Sequence, residues 1–221
     1  MVEPVKGSGD VVHGPSNGRS DFHTGLAYAG GMAEHYRYDV EILHLLVSPA
    51  HAYFGRARDG AADVPTFDAE TAEVVAGKGI MGDRFFGKAA HMDAAVTLFA
   101  VEALETMAAE LEAGPFDPLA TRRNVILRGA HLAPLLGQDF ALESGDSVVE
   151  FHGGRPAHPC AWMNEVLAPG AHAAMRGRGG IRCRTLSSGS LHRGPAVLVS
   201  PVPLDPGQAG VPSLLRPSRL P

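Results

Sequence analysis

The sequence predicts a mainly β protein, a barrel or a sandwich of short strands with a few short helices around it. Three observations lead there. Short apolar or β-branched runs recur between glycine, proline and polar breaks. Only one stretch keeps a clear helical period. The regular strand–helix alternation of a parallel α/β sheet is missing.

Taken in order, the elements are brief. Residues 1–38 mix Gly, Ser, Pro and His without a period and read as a flexible N-terminal tail. Residues 40–47 form an apolar run that stops at Ser48-Pro49, and 71–75 a β-branched run that stops at a glycine cluster. A strand at 95–99 leads into the clearest helix, 101–111, whose Val101, Leu104, Met107, Ala108 and Leu111 share one stripe that ends before Gly114-Pro115. Further strands are expected at 124–127, 140–142, 147–151, 181–186 and 196–200, with short helices at 162–167 and 171–176 on either side of Pro169-Gly170. Residues 201–221 are proline-rich without strand or helix pattern, and read as a C-terminal tail or surface strap. One domain over 39–200 remains, with no internal repeat.

Composition narrows the function classes. The chain of 221 residues is 45% hydrophobic and 19% charged, ordinary for a soluble single-domain protein. A net charge of −5 argues against a nucleic-acid partner. No stretch approaches the roughly 18 apolar residues of a membrane span, and the first residues lack the basic and apolar regions of a secretory signal. Cys160 and Cys183 are too few for a secreted disulfide scaffold, so reduced thiols and a cytoplasmic location are expected. The histidines show no zinc-ligand spacing. Arginine heavily outnumbers lysine, which reflects either genome composition or a use for its bidentate grip on carboxylate and phosphate.

Gly77-Lys78-Gly79-Ile80-Met81-Gly82 is a literal G-x-G-x-x-G after a strand-like run. A dinucleotide fold needs a helix to open at the third glycine. Asp83-Arg84-Phe85-Phe86-Gly87 follows instead, without helical period, so the expected structure is a glycine turn that places Asp83 and Arg84.

Four segments together resemble the MOSC family, named for the C-terminal domain of molybdenum-cofactor sulfurases. They are Gly79-Ile80-Met81-Gly82-Asp83-Arg84; Val96-Thr97-Leu98-Phe99-Ala100-Val101-Glu102-Ala103-Leu104; Thr121-Arg122-Arg123-Asn124-Val125 with Arg128-Gly129 and Leu135-Leu136-Gly137; and Pro159-Cys160 followed by Gly179-Gly180-Ile181-Arg182. Phe85-Phe86, Cys160-Ala161-Trp162-Met163 and Gly177-Arg178-Gly179-Gly180 look like a bacterial single-domain subgroup. The resemblance implies a MOSC-type β-barrel with a few short peripheral helices. It implies a cysteine, Cys160, that carries sulfur or meets the molybdenum cofactor, and a likeness to amidoxime-reducing enzymes in which the corresponding cysteine ligates the metal. Residues 1–38 are too short for the extra N-terminal barrel of those enzymes. The sulfurase's lyase domain is also lacking, so pyridoxal phosphate is not expected.

Each residue has a physical reason beside the resemblance. Cys160 follows Pro159 and is expected to begin the helix that runs to Leu167, where free N–H groups favour a thiolate. Arg155, His158 and His152 lie nearby in sequence and add positive field. A thiolate attacks sulfur donors and binds soft metals; the alternative is a buried, inert cysteine. Cys183, among Ile181 and Thr185, reads as a small barrel-wall residue. Arg84, Arg123 and Arg182 suit the phosphate end of a pterin cofactor, or else ion pairs in the barrel wall such as one with Asp83. Asn124 either binds a ligand or holds a loop, and Trp162 either roofs the pocket or belongs to the core. Residues 176–180 form either an anion nest or an ordinary helix stop.

The expected function is therefore sulfur transfer through a persulfide on Cys160, with a sulfur-donor protein of cysteine desulfurase type as partner, or molybdenum-dependent reduction of an N-hydroxylated substrate with Cys160 as the metal ligand. Arg84, Arg123, Asn124, His158 and Arg182 are the expected cofactor contacts. The reading from another class is a non-catalytic module or adaptor that binds an anionic small molecule.

Overall fold

The computed structural model describes residues 35–213; residues 1–34 and 214–221, which hold most of the expected N-terminal tail and the end of the C-terminal one, lie outside the described residues. Eleven strands are described: β1 (Tyr36–Val47), β2 (Phe67–Asp68), β3 (Thr71–Val75), β4 (Gly79–Ile80), β5 (Val96–Ala100), β6 (Val125–Arg128), β7 (Asp139–Ser144), β8 (Ser147–Pro156), β9 (Ile181–Thr185), β10 (Gly189–His192) and β11 (Gly194–Ser200). Seven of them close into a barrel in the order β1-β11-β7-β8-β9-β5-β6 and back to β1. β2 extends the edge of β1, and β10, β3 and β4 make a second sheet of three strands. The fold is the mainly β barrel with a few short peripheral helices that the sequence leads one to expect.

Every barrel pairing is antiparallel except β5 with β6. Two parallel neighbours cannot be joined by a tight turn and need a crossover. Helix α1 (Glu102–Glu110) is that crossover, so the clearest helical period in the sequence falls where the topology demands a helix. Its buried Ala103, Leu104 and Met107 pack on Phe99 and Ile126, the residues of β5 and β6 that point out of the barrel. Val96 and Leu98 of β5, and Val125 and Leu127 of β6, point inward and join Ile42, Leu142, Phe151 and Leu198. These two strands are buried on both faces, which explains their unbroken apolar runs.

Three strands carry no sequence expectation. β2 and β4 have two residues each, too few to show a period, and β10 has Leu191 as its one buried residue. Helices α2 (Met163–Val166) and α3 (Ala171–Ala174) are shorter than expected. Contrary to the expectation from sequence, α2 does not begin at Cys160. Cys160 lies in the loop before it, its carbonyl accepting from Met163 N at 3.0 Å, and a four-residue helix has almost no macrodipole to offer a thiol.

Gly180 shows how tightly the barrel end is closed. Its φ is +87°, and a Cβ there would sit 2.1 Å from the carbonyl oxygen of Leu98 on the neighbouring β5. Both strain and overlap oppose a side chain. Gly180→Ala is expected to lower stability by at least about 1 kcal/mol, read as a fall in denaturation midpoint. An unchanged midpoint would show that β5 and β9 can separate without cost.

Candidate functional site

The site is built around the turn after β4. Gly79 and Gly82 have φ of +100° and +80°, which lets the chain reverse and hand Asp83 to the end of the barrel. The Asp83 side chain is fully buried and accepts three hydrogen bonds, from Phe85 N, Arg84 Nη1 and Asn124 Nδ2, all at 3.1 Å. Asn124 in turn accepts from Thr97 N on β5 at 3.1 Å and donates to the Leu46 carbonyl on β1 at 3.3 Å. Its amide oxygen and nitrogen are both used within the protein, and the residue is 0% exposed.

Arg84 donates to the carbonyl of Arg122 at 3.0 Å and packs its guanidinium over the Phe85 ring, 4.7 Å from the centroid. Arg122 sits in the left-handed region, φ 58°, after the turn Pro118–Thr121. Its side chain donates to Thr66 Oγ1 and Ser48 Oγ at 2.8 Å and to the Ala50 carbonyl at 2.7 Å. Arg122 thereby clamps the loop that follows β1. That loop brings in Tyr53, whose hydroxyl donates to the Ala120 carbonyl and whose ring stacks on Trp162 at 5.3 Å. Trp162 is 8% exposed and belongs to the cluster under α1. It is a core residue.

Cys160 is exposed. Arg123, itself buried, uses Nη2 to donate to the carbonyls of Ala157 and His158 at 3.3 Å, and so holds the segment that carries the thiol. Its Nε is buried without a partner, and so is the Nε of Arg84. Arg182, on β9, makes no side-chain hydrogen bond or ion pair among the described residues. Arg123 and Arg182 both lie within electrostatic reach of Cys160 and of each other. Arg84 reaches Arg182 in the same way.

The electrostatics follow from burial. Desolvation pulls Arg123 down to about 10, with Arg182 and Arg84 adding repulsion. Burial lowers Arg84 as well, against the pull of Asp83, and lowers Arg182, with Arg155 repelling it. All remain cations at neutral pH. One buried carboxylate, Asp83, faces this group of guanidiniums, so the site has a surplus of positive charge. Burial also lowers His51, whose ring meets Phe85 edge-on at 5.0 Å.

Of the expected residues, Arg84, Arg123, Arg182 and Cys160 come together. His158 contributes its carbonyl to Arg123 while its side chain is exposed. His152 is bonded to Asp139 at 2.6 Å, within the β7–β8 pair. Cys183 is wholly buried in the barrel core, where desolvation pushes its thiol up. Sequence reasoning missed Tyr53, His51 and the clamp by Arg122. The first two sit in an aperiodic loop without a local signal; Arg122 was visible only as a neighbour of Arg123. Among the described residues no group of three or more His, Cys, Asp or Glu side chains is arranged to hold a metal, and no helix is long and apolar enough to cross a membrane.

Two outcomes are expected. Asp83→Ala leaves the Arg84 guanidinium buried without its counter-charge and should cost about 3–5 kcal/mol, measured by denaturant unfolding. A loss below about 1 kcal/mol would mean that water replaces the carboxylate. Limiting iodoacetamide should modify Cys160 well before Cys183, because one thiol is exposed and the other is in the core. Peptide mapping that finds Cys183 labelled first would refute this.

Comparison with known proteins gives the lineage. No curated protein matches the chain significantly in sequence. The fold is similar to that of the YuaD protein from Bacillus subtilis, at 17% identity and a TM-score of 0.57, covering 75% of this chain and 98% of that one. It is also similar to YiiM from Geobacillus stearothermophilus, at 20% identity and a TM-score of 0.51, covering 73% and 75%. The family model of the MOSC domain matches residues 76–198, more than half the chain, a span that includes Arg84, Arg122, Arg123, Arg182 and Cys160. The protein belongs to the MOSC domain family, which is associated with binding of the molybdenum cofactor.

Proposed function

We propose that this protein uses Cys160 as a sulfur-handling thiol beside a receptor for an anionic ligand, formed by Arg123 and Arg182 with Arg84 behind them. One observation carries the reading: an exposed thiol next to guanidiniums whose donors are not all used. Arg182 is unpaired among the described residues, and the buried Nε atoms of Arg123 and Arg84 lack acceptors. A buried donor without an acceptor costs stability unless a ligand or water satisfies it.

The donor set fits the molybdenum cofactor. Arg123 and Arg182 suit its anionic phosphate end, and Cys160 is a soft sulfur ligand. When bound, that cofactor supplies the two-electron chemistry by which an N-hydroxylated base is reduced. The protein's own residues do the positioning. Arg123 holds the carbonyls of Ala157 and His158 and so fixes the segment that leads to Cys160, while Trp162, two residues further on, is held by its stack on Tyr53.

The same thiol can carry sulfur without metal. As thiolate, Cys160 attacks the terminal sulfur of a persulfide on a donor protein of cysteine desulfurase type. A new S–S bond forms at Cys160, and the donor leaves as its thiolate. An exposed free cysteine suits a reducing compartment, and we assign the protein to the cytoplasm on that ground.

Native mass spectrometry of freshly purified protein from a molybdate-replete host tests the reading. Either a bound pterin cofactor or an extra mass of about 32 Da, one sulfur added to a cysteine, is expected. Cys160→Ser should abolish both, and Cys183→Ser should abolish neither. Arg182→Ala should weaken retention at least about tenfold, equivalent to about 1.4 kcal/mol, with the melting temperature unchanged because that guanidinium has no partner to lose. Retention of an anionic ligand by Cys160→Ser would favour a non-catalytic binding module. Protein bearing neither cofactor nor sulfur would reject the proposal.

A further inference from the structure

Residues 177–180, within the segment read from sequence as an anion nest or a helix stop, line a cleft for which the proposed function names no ligand. Residues 156–159 form one wall, the turn at 177–180 a second, and the segment at 208–213 a third. Ala100, Leu132, Leu136 and Ile181 make an apolar floor. The free volume is about 110 Å³, several times what one water needs.

The third wall is fixed to the barrel. Leu204 N donates to the Tyr38 hydroxyl at 2.6 Å, Asp205 N to His131 Nδ1 at 3.4 Å, and Ser213 N to the Gly177 carbonyl at 2.8 Å. At Gly210 a Cβ would fall 2.5 Å from the backbone of Glu102, so this segment lies flush on the start of α1. The other two walls touch at Gly179, where a Cβ would fall 2.1 Å from the Ala157 carbonyl oxygen. A cleft held so closely on three sides is preformed.

Its lining includes Arg178, whose side chain is 6% exposed. Nη2 donates to both oxygens of Glu110, at 2.9 and 3.0 Å. Nε and Nη1 are buried with no partner. Two charged donors without acceptors, beside an apolar floor that offers water few partners, match a ligand with an acidic head and an apolar body. The turn is glycine on either side of Arg178, which leaves a flat wall suited to a planar ring.

We propose that this cleft is a second small-molecule site, for an aromatic or similarly flat organic acid whose carboxylate meets the free donors of Arg178. It does not depend on Cys160 or on the molybdenum cofactor.

Benzoate is the probe, with benzamide as its neutral counterpart, titrated into the full chain and followed by amide NMR. Saturable shifts at Gly177, Gly179, Gly180 and Gly210 are expected with benzoate, at least tenfold weaker with benzamide and in Arg178→Gln. Val211 lines the rim and is 47% exposed, so Val211→Trp should fill the cleft without touching the core and abolish the shifts. This second variant decides the matter if Arg178→Gln fails to fold, and it should leave any cofactor or sulfur on Cys160 unchanged. Absence of saturable shifts at about 10 mM benzoate, weaker than any useful affinity, would overturn the proposal. So would equal binding of benzamide, or undiminished binding in either folded variant.

Discussion

The buried carboxylate of Asp83 is the constraint on which the site depends. It has no access to water, and its charge is balanced by Arg84 and by donors from Asn124 and the Phe85 amide. Those partners reach different parts of the fold. Asn124 ties the turn to β5 and β1, and Arg84 ties it to the carbonyl of Arg122. Arg122 then holds the loop that carries Tyr53, and Tyr53 stacks on Trp162, two residues beyond Cys160. A satisfied buried network of this kind fixes one arrangement because every partial alternative strands a charge or a donor.

The barrel gives this network a rigid base. β5 and β6 are packed on both faces, by the barrel interior on one side and by α1 on the other. Their ends cannot shift without opening a core. Arg123 and Asn124 immediately precede β6, and Arg182 lies in β9 beside β5. Guanidiniums held by such strands keep their positions despite mutual repulsion, because the packing that fixes their backbones outweighs the repulsion. The positive surplus is thus held in place by the folded protein.

Arg123 and Arg178 show why a buried arginine has to be read by its atoms. Each is partly satisfied within the protein, Arg123 by two carbonyls and Arg178 by Glu110, and each keeps buried nitrogens with no acceptor. The satisfied nitrogens are structural. The free ones are buried donors that carry a cost until an acceptor meets them.

Local sequence determined much of this protein. Short runs located β3 at its true bounds and the barrel strands to within a few residues, and the period of 101–111 found the crossover helix, since burial of one stripe leaves a signature at helical spacing. The glycine turn at 79–82 was legible because only glycine takes those angles freely, and the four segments of the family resemblance singled out Arg84, Arg123, Arg182 and Cys160. Tertiary structure alone decided the rest. It set Cys160 in a loop instead of a helix start, because the chain after it turns for only four helical residues. It spent the amide of Asn124 inside the protein, and brought in Tyr53, His51 and Arg122 from segments with no period. Asn124 meets Asp83, Arg122 meets Ser48 and Tyr53 meets Trp162 across tens of residues of chain, and no local pattern of residue types records which of them will meet.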